Sequence, residues 1–513
     1  MESRTSKSFV NIFFGLGQQF FSIIFSFITR TVFIHYLSKE LLGVNSLFAN
    51  VLSILSLADL GLDTAMIYSL YKPLSEKNEQ KLSALVNYFR KLYLGVAGII
   101  FVLGIILMPF LRFLIVKNTN INGLYIYYLI FLIDTCISYT LANRFAIVNA
   151  DQKSYIIKKY TLFFNALKCF LQCLSLILFK SFLLYLIIQV LTTFLLNFVC
   201  AKKAKKLYPF IKKEEALSKT DKKEIFANIK SLIFYKIGGV VFANSDNILI
   251  SAMLGVIMVG IYTNYLTLIN AVNNIITIAF TAVSFSVGNL IAKESKKQQY
   301  AVFKKLNFFS LFLFGIATVC FVVLLNDFVY LWIGTDFLLN MNVVVVIAIN
   351  FYMQGILRPI WVYRDSAGLF KQVQFLPLVT SALNIVFSII LGLKFGLFGI
   401  LGATVIARVL SNFWYEPYIL TKLYFKNDFI DYMKKLLKNI IIISICSIIF
   451  IYINSLVFSY NWTSMFLMAI ITFVGTLIIF IVFYHKEEEF LFFKSLIIEI
   501  TQKVYEKVLK KGK

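Results

Sequence analysis

Histidine is almost missing from this chain: two of 513 residues, His35 and His485. Both fall at the ends of apolar segments, where interfacial roles suit them, and two imidazoles leave little from which to build a zinc set or a Ser/His/Asp grouping. No phosphate-binding glycine loop is present either. The six cysteines, Cys136, Cys169, Cys173, Cys200, Cys320 and Cys446, all lie in apolar segments. Cys169 and Cys173 share a helix face, but no histidine or third thiol accompanies them, so they read as small buried hydrophobes and no metal is expected. Charge is sparse too, at 15% of residues against about 25% in a soluble domain. Acidic residues are half as common as basic ones, 25 against 50. The longest outward segment, about 326–341, is too short for a domain of its own, which argues against a polysaccharide polymerase or a membrane glycosyltransferase. No enzyme activity is expected.

What fills the chain is apolar: 60% hydrophobic and 17% aromatic, with mean hydropathy +0.82. About fourteen runs are long enough to cross a hydrocarbon core of ~30 Å as helices. They lie near 9–36, 43–71, 84–111, 121–149, 156–179, 181–201, 229–253, 257–291, 303–325, 341–363, 373–393, 396–421, 439–458 and 462–484. Barrel strands would instead be alternating segments of about ten residues. The expected class is an all-α integral membrane protein. The first run follows Arg4 and Lys7 like a signal sequence, yet it is too long for one and no small-residue cleavage site follows, so it reads as a spanning helix.

A net charge of +25 suggests a nucleic-acid partner until the lysines and arginines are placed. With the N-terminus in the cytoplasm, the outward loops hold only Lys39, Arg112, Lys117, Lys180 and Lys394, while most of the rest fall in inward loops and tails. That asymmetry is the positive-inside pattern of a multi-pass membrane protein. The basicity thus reports topology and attraction to anionic headgroups, and no nucleic-acid partner is expected.

The polar stretch around 202–228 divides the chain, giving an N-terminal six-helix lobe at 1–201, a basic cytoplasmic linker and a second six-helix lobe at 229–421. Two further helices occupy 422–485. A weak repeat crosses the linker. Leu37 to Gly43 answers Leu254 to Gly260 at a shift of 217, and Arg144 with Asp151 answers Arg358 with Asp365 at a shift of 214. Six helices before the boundary make the repeats parallel, and such transporters bind cargo between their lobes. Residues 486–513 form a charged tail in which Phe490, Phe493, Ile497, Ile500, Val504 and Val508 follow helical spacing, as in an amphipathic helix on the cytoplasmic leaflet.

Six cations, Arg30, Arg144, Lys168, Lys236, Arg358 and Arg408, interrupt the apolar runs, together with Asp59, Asp63, Asp134, Asp246 and Glu416. A charge at a membrane helix centre costs roughly 2.5–3.5 kcal/mol. Unpaired, the set would cost on the order of 30 kcal/mol, more than a fold can spare. These residues must pair or line a wet cavity, and an excess of cations there points to an anionic cargo. The structural alternatives pair Arg30 with Asp59 or Asp63, Lys236 with Asp246, and Arg408 with Glu416. A carboxylate in low dielectric makes Asp246 or Asp59 a candidate for Na⁺ or H⁺ coupling. A drug or cation antiporter is the rival reading.

Several segments together resemble the flippases of polysaccharide biosynthesis, which move O-antigen and capsule repeat units and belong to the multidrug/oligosaccharidyl-lipid/polysaccharide exporter superfamily. Thr29-Arg30, Leu37, Gly43, Leu57 to Leu62, Ala65 and Tyr68 resemble the family's first two helices. Ser245-Asp246, Leu254-Gly255 and Gly260 to Tyr262 resemble its seventh and eighth, and Ala382 to Asn384, Gly396 to Ile400, Ala403-Thr404 and Glu416-Pro417 its eleventh and twelfth. The resemblance implies about fourteen helices around a cationic cavity, in a cytoplasmic membrane, with undecaprenyl-diphosphate-linked oligosaccharide as cargo and no cofactor beyond a coupling Na⁺ or H⁺. It also implies partnership with polysaccharide polymerase and chain-length machinery. Arg30 matches a basic position in the related lipid II flippases. Many members carry Asp-Arg where this chain has Asp246-Asn247, so that arginine's role does not carry over. Guanidinium can grip phosphate in bidentate fashion. On this reading Arg144 and Arg358 capture the diphosphate near the cytoplasmic mouth, while Arg30, Lys168 and Arg408 follow it deeper.

Overall fold

The computed structural model describes residues 4–56, 62–115, 121–140, 143–212 and 216–511, and its regular elements there are helical. In chain order the α-helices are α1 (Arg4–Tyr36), α2 (Lys39–Leu55), α3 (Leu62–Ser75), α4 (Glu79–Leu107), α5 (Leu111–Leu114), α6 (Leu124–Thr140), α7 (Asn143–Ala150), α8 (Ser154–Phe179), α9 (Phe182–Leu207), α10 (Lys219–Leu254), α11 (Val256–Lys293), α12 (Lys296–Ile333), α13 (Met341–Ile356), α14 (Arg358–Ser366), α15 (Phe370–Val373), α16 (Leu376–Leu410), α17 (Asn412–Tyr418), α18 (Phe429–Val457), α19 (Trp462–Tyr484) and α20 (Glu488–Lys511). Starts are set locally: Ser38, Asn78 and Ser218 cap α2, α4 and α10, and Ser295 with Gln298 forms a reciprocal capping box on α12.

Among the described residues ten helices are long and apolar enough to cross a membrane, or eleven counting the bent pair Leu124–Thr140 and Arg144–Ala150 as one span. This is a multi-pass membrane protein. The fourteen expected runs are divided differently here. Runs 373–393 and 396–421 fall within one continuous stretch, Phe370–Tyr424. Run 43–71 is split into α2 and α3 on either side of 57–61, which lie outside the described residues.

The long helix α16 is two limbs joined by a reversal. Gly396 takes φ +58° and ψ −135°, open to glycine. Ser388 donates to the Ile400 carbonyl, and a methyl group on Gly399 would overlap the Leu391 carbonyl, so the limbs run antiparallel. Two apolar runs in one unbroken helical assignment are therefore a tight hairpin.

The chain divides into two compact units, Met1–Ala271 with Gln374–Ala403, and Val272–Val373 with Thr404–Lys513. In the first, α1 packs on α8, α8 on α9, and α6 on both α4 and α9, while α2 packs on α10. Inside this unit the repeat read at a shift of 217 becomes a reciprocal contact. A methyl on Gly43 would overlap the Val256 carbonyl, and one on Gly260 would sit 2.9 Å from the Lys39 carbonyl oxygen. One turn on, the Ser46 and Thr263 hydroxyls lie 3.1 Å apart. Positions 39, 43 and 46 thus meet 256, 260 and 263 about a local two-fold axis.

In the second unit α12 is central, packed by α13, α18 and α19. A buried chain ties three helices there: the Tyr352 hydroxyl donates to Asn439 Oδ1 at 2.5 Å, and Asn439 Nδ2 donates to the Tyr484 hydroxyl at 2.9 Å.

Candidate functional site

Polar residues recur on facing stripes of two apolar helices. On α1 these are Gln18, Ser22, Ser26, Thr29 and Arg30; on α8 they are Lys158, Asn165, Lys168, Cys169 and Gln172. Intervals of three, four and seven keep each set on one face. The stripes meet: Asn165 Nδ2 donates to Ser22 Oγ at 3.3 Å, the Cys169 thiol to the Phe25 carbonyl at 3.6 Å, and the Lys158 amine lies against Gly15. Between them opens a cavity of about 240 Å³, into which Arg30 and Lys168 both project beside Asn45, Asn165, Gln172 and Tyr185.

Arg30 is held without being neutralised. Its Nε donates to Asn264 Oδ1 at 2.8 Å, and one terminal nitrogen donates to Thr263 Oγ1 at 2.6 Å and to the Gly260 carbonyl at 3.4 Å. All three acceptors are uncharged, and the half-buried guanidinium has no carboxylate partner among the described residues. Lys168 makes no ion pair within 4 Å among the described residues; Asp134 acts on it from further off. Asp134 itself accepts from Gln189 Nε2 at 2.8 Å, and its other oxygen is buried without a hydrogen bond among the described residues.

The other expected residues lie elsewhere. Arg144, on α7, is half-buried near Arg90, a second cation. Asp63 is exposed and accepts from the Tyr93 hydroxyl, so it is not the partner of Arg30. Asp59 lies outside the described residues. Lys236 and Asp246 sit on one unbroken helix ten residues apart, a rise of about 15 Å, so the pair drawn between them does not form. Asp246 instead accepts from Asn384 Nδ2 at 3.3 Å, and Asn384 Oδ1 accepts from Ser245 at 2.9 Å. With Ser388 beside Asn384, this cluster offers the oxygen ligands that a hard cation takes.

In the second unit Arg358 donates to Asn273 Oδ1 at 3.3 Å and lies 5.5 Å from the Trp361 ring, its Nε without an acceptor among the described residues. Arg408 is buried. Glu416 pairs with Arg364, Nη1 to Oε2 at 3.3 Å, both side chains about 5% exposed. Reading the sequence for a pair with Arg408 missed Arg364, the residue just before Asp365.

The fold these elements build is similar to that of several solved membrane transporters. Lipid II flippase MurJ in an inward closed conformation superposes with a TM-score of 0.66 at 19% identity, over 92% of this chain and 99% of its own. An inward-facing multidrug resistance MATE family transporter gives 0.60 at 14%, over 76% and 92%. The Vibrio cholerae MATE transporter VcmN, in a mutant form, gives 0.55 at 13%, over 80% and 96%. No sequence-family model and no curated protein matches the chain. At these identities the likeness is one of fold.

Proposed function

We propose that this protein is a flippase that turns undecaprenyl-diphosphate-linked oligosaccharide repeat units from the inner to the outer leaflet of a bacterial cytoplasmic membrane. It would work by alternating access between six-helix lobes at 1–201 and 229–421, with both termini in the cytoplasm, for capsule, O-antigen or other surface polysaccharide. The observation that carries the reading is the cavity between α1 and α8. Among the described residues, an arginine bound by neutral groups and a lysine without an ion pair face one space of about 240 Å³. That space suits a phosphate-bearing headgroup rather than a whole repeat unit.

An anion entering this site meets two cations that no carboxylate pairs with directly among the described residues, Asp134 acting on Lys168 only from further off, and charge-assisted hydrogen bonds there are strong. Arg144, flanked by Arg90, and Arg358, with a free Nε, suit first capture of the diphosphate on either repeat. Asp246 with its amide and hydroxyl neighbours suits a coupling Na⁺ or H⁺, and Asp59 is the second candidate. Polysaccharide polymerase and chain-length proteins would be its partners on the outer face.

The test is depletion of the protein in its own cell, with undecaprenyl-linked oligosaccharide quantified leaflet by leaflet by mass spectrometry. Accumulation in the inner leaflet, reversed by wild type and not by Arg30→Ala with Lys168→Ala, is the expected result. Unchanged lipid pools with surface polysaccharide intact would overturn it in favour of drug or cation antiport.

A further inference from the structure

The apolar stripe of the tail begins by packing on protein. Phe493 stacks on Phe308 and Phe309, with centroids 6.2 and 5.4 Å apart, and Phe490 meets Phe308 edge-on at 6.4 Å. Around these rings the start of α20 is fastened by charge. Glu489, 8% exposed, accepts from Lys435 Nζ at 3.1 Å and faces Lys304 at 3.9 Å, while Glu487 accepts from Lys438 at 2.6 Å. Lys305 lies 3.6 Å from the Phe492 ring centre. The four lysines stand within the first three turns of α12 and α18, near the end of α19. Lys296, Lys297 and Lys434 belong to the same stretches, as do the acids Asp428 and Asp431, the latter acting on Lys435.

The junction touches the interior on two sides. Lys438 lies 4.5 Å from the ring of Tyr484, the last member of the buried Tyr352–Asn439–Tyr484 chain. Phe309 also meets Phe280 of α11 at 6.1 Å, and α11 carries Asn273, which holds Arg358.

We propose that this junction is a charge clasp that anionic lipid headgroups undo, so that the tail reports the composition of its leaflet to α11, α12 and α18. The lysines of these pairs are about a third exposed, open to headgroups, while the carboxylates they hold are more buried. A surface of anionic lipid attracts each nearby lysine. Headgroups and the two acids thus compete for the same lysines, and lipid composition shifts the clasp. A lipid phosphate would take Lys304, Lys435 and Lys438 from Glu487 and Glu489.

The test is hydrogen–deuterium exchange of residues 486–511 in the full-length protein, reconstituted in phosphatidylcholine alone or with phosphatidylglycerol added. Wild type should exchange about fivefold faster with phosphatidylglycerol. The variant Glu487→Gln with Glu489→Gln should exchange fast in both lipids. The charge swap Lys435→Glu with Glu489→Lys should restore slow exchange in phosphatidylcholine. Equal wild-type exchange in the two lipids, or slow exchange of the glutamine variant in phosphatidylcholine, would overturn the proposal. Unchanged exchange across α4 and α6, in the other unit, serves as the control for folding.

Discussion

Replacing Arg364 by leucine should be among the most damaging single changes outside the α1–α8 cavity. Its guanidinium sits between two carboxylates of unequal burial: Glu416, 4% exposed at 3.3 Å, and Asp365, 50% exposed at 2.8 Å. Removing the arginine strands the Glu416 carboxylate in the interior, and an uncompensated buried charge costs about 3–5 kcal/mol. Replacing Glu416 by leucine is milder, because Arg364 keeps Asp365 and loses one charge-assisted hydrogen bond, about 1.5–3 kcal/mol. With both changed, the buried charge is gone and leucine fills apolar space, so the double variant should lie within roughly 1 kcal/mol of wild type. Equilibrium unfolding of the four proteins in mixed micelles gives the full cycle. The reasoning fails if Arg364→Leu costs less than Glu416→Leu, or if the two losses simply add.

Glycine substitutions should rank by what a methyl group meets. Gly43→Ala drives a methyl into the Val256 carbonyl and should lower stability by more than about 2 kcal/mol, Gly260→Ala by less, since its nearest atom is 2.9 Å away. Gly239→Ala, on the open face of α10, meets nothing within 4 Å and should gain about 0.5–1 kcal/mol. Thermal unfolding of the three in one detergent checks the order. At the start of α10, hydrogen bonds from Ser218 and Lys81, together with the Lys81 charge, hold the Asp221 carboxyl below its ordinary range. A depressed carboxylate stabilises above its unfolded pKa, about 3.9, and that support is lost as pH falls through the lower folded value. Protection factors of the amides at residues 219–225 should therefore fall below about pH 4, and Lys81→Met should shrink that pH step while Ser218 still bonds the carboxylate.

Much of the architecture can be read from the chain because its signals are local. Apolar runs mark spans, and the glycine at 396 separates two runs that the structure joins as a hairpin. The repeat at a shift of 217 extends from Gly43 and Gly260 to Ser46 and Thr263, residues now seen in contact. The polar stripe on α8 is likewise plain from its spacing. What the stripe cannot name is its partner. Asn264 is 234 residues from Arg30, and nothing near either residue encodes the contact. The same holds for Phe493, whose periodicity defines a face without choosing between lipid and Phe309. The pairing of Lys236 with Asp246 was avoidable, since ten residues on one helix separate them by about 15 Å. Glu416 went to Arg364 because tertiary packing, not proximity in sequence, brings α14 to α17.

The central claim is that Arg30 and Lys168 receive a diphosphate headgroup. The most direct measurement is binding of undecaprenyl diphosphate to the purified full-length protein in nanodiscs, with undecaprenol as the uncharged control. Arg30→Gln should weaken binding about 10- to 100-fold, the loss of one hydrogen-bonded charge, and Lys168→Gln should act on the same ligand. Undecaprenol should bind both variants as it binds wild type. Equal affinity for undecaprenyl diphosphate in wild type and Arg30→Gln, with the fold intact, would contradict the account.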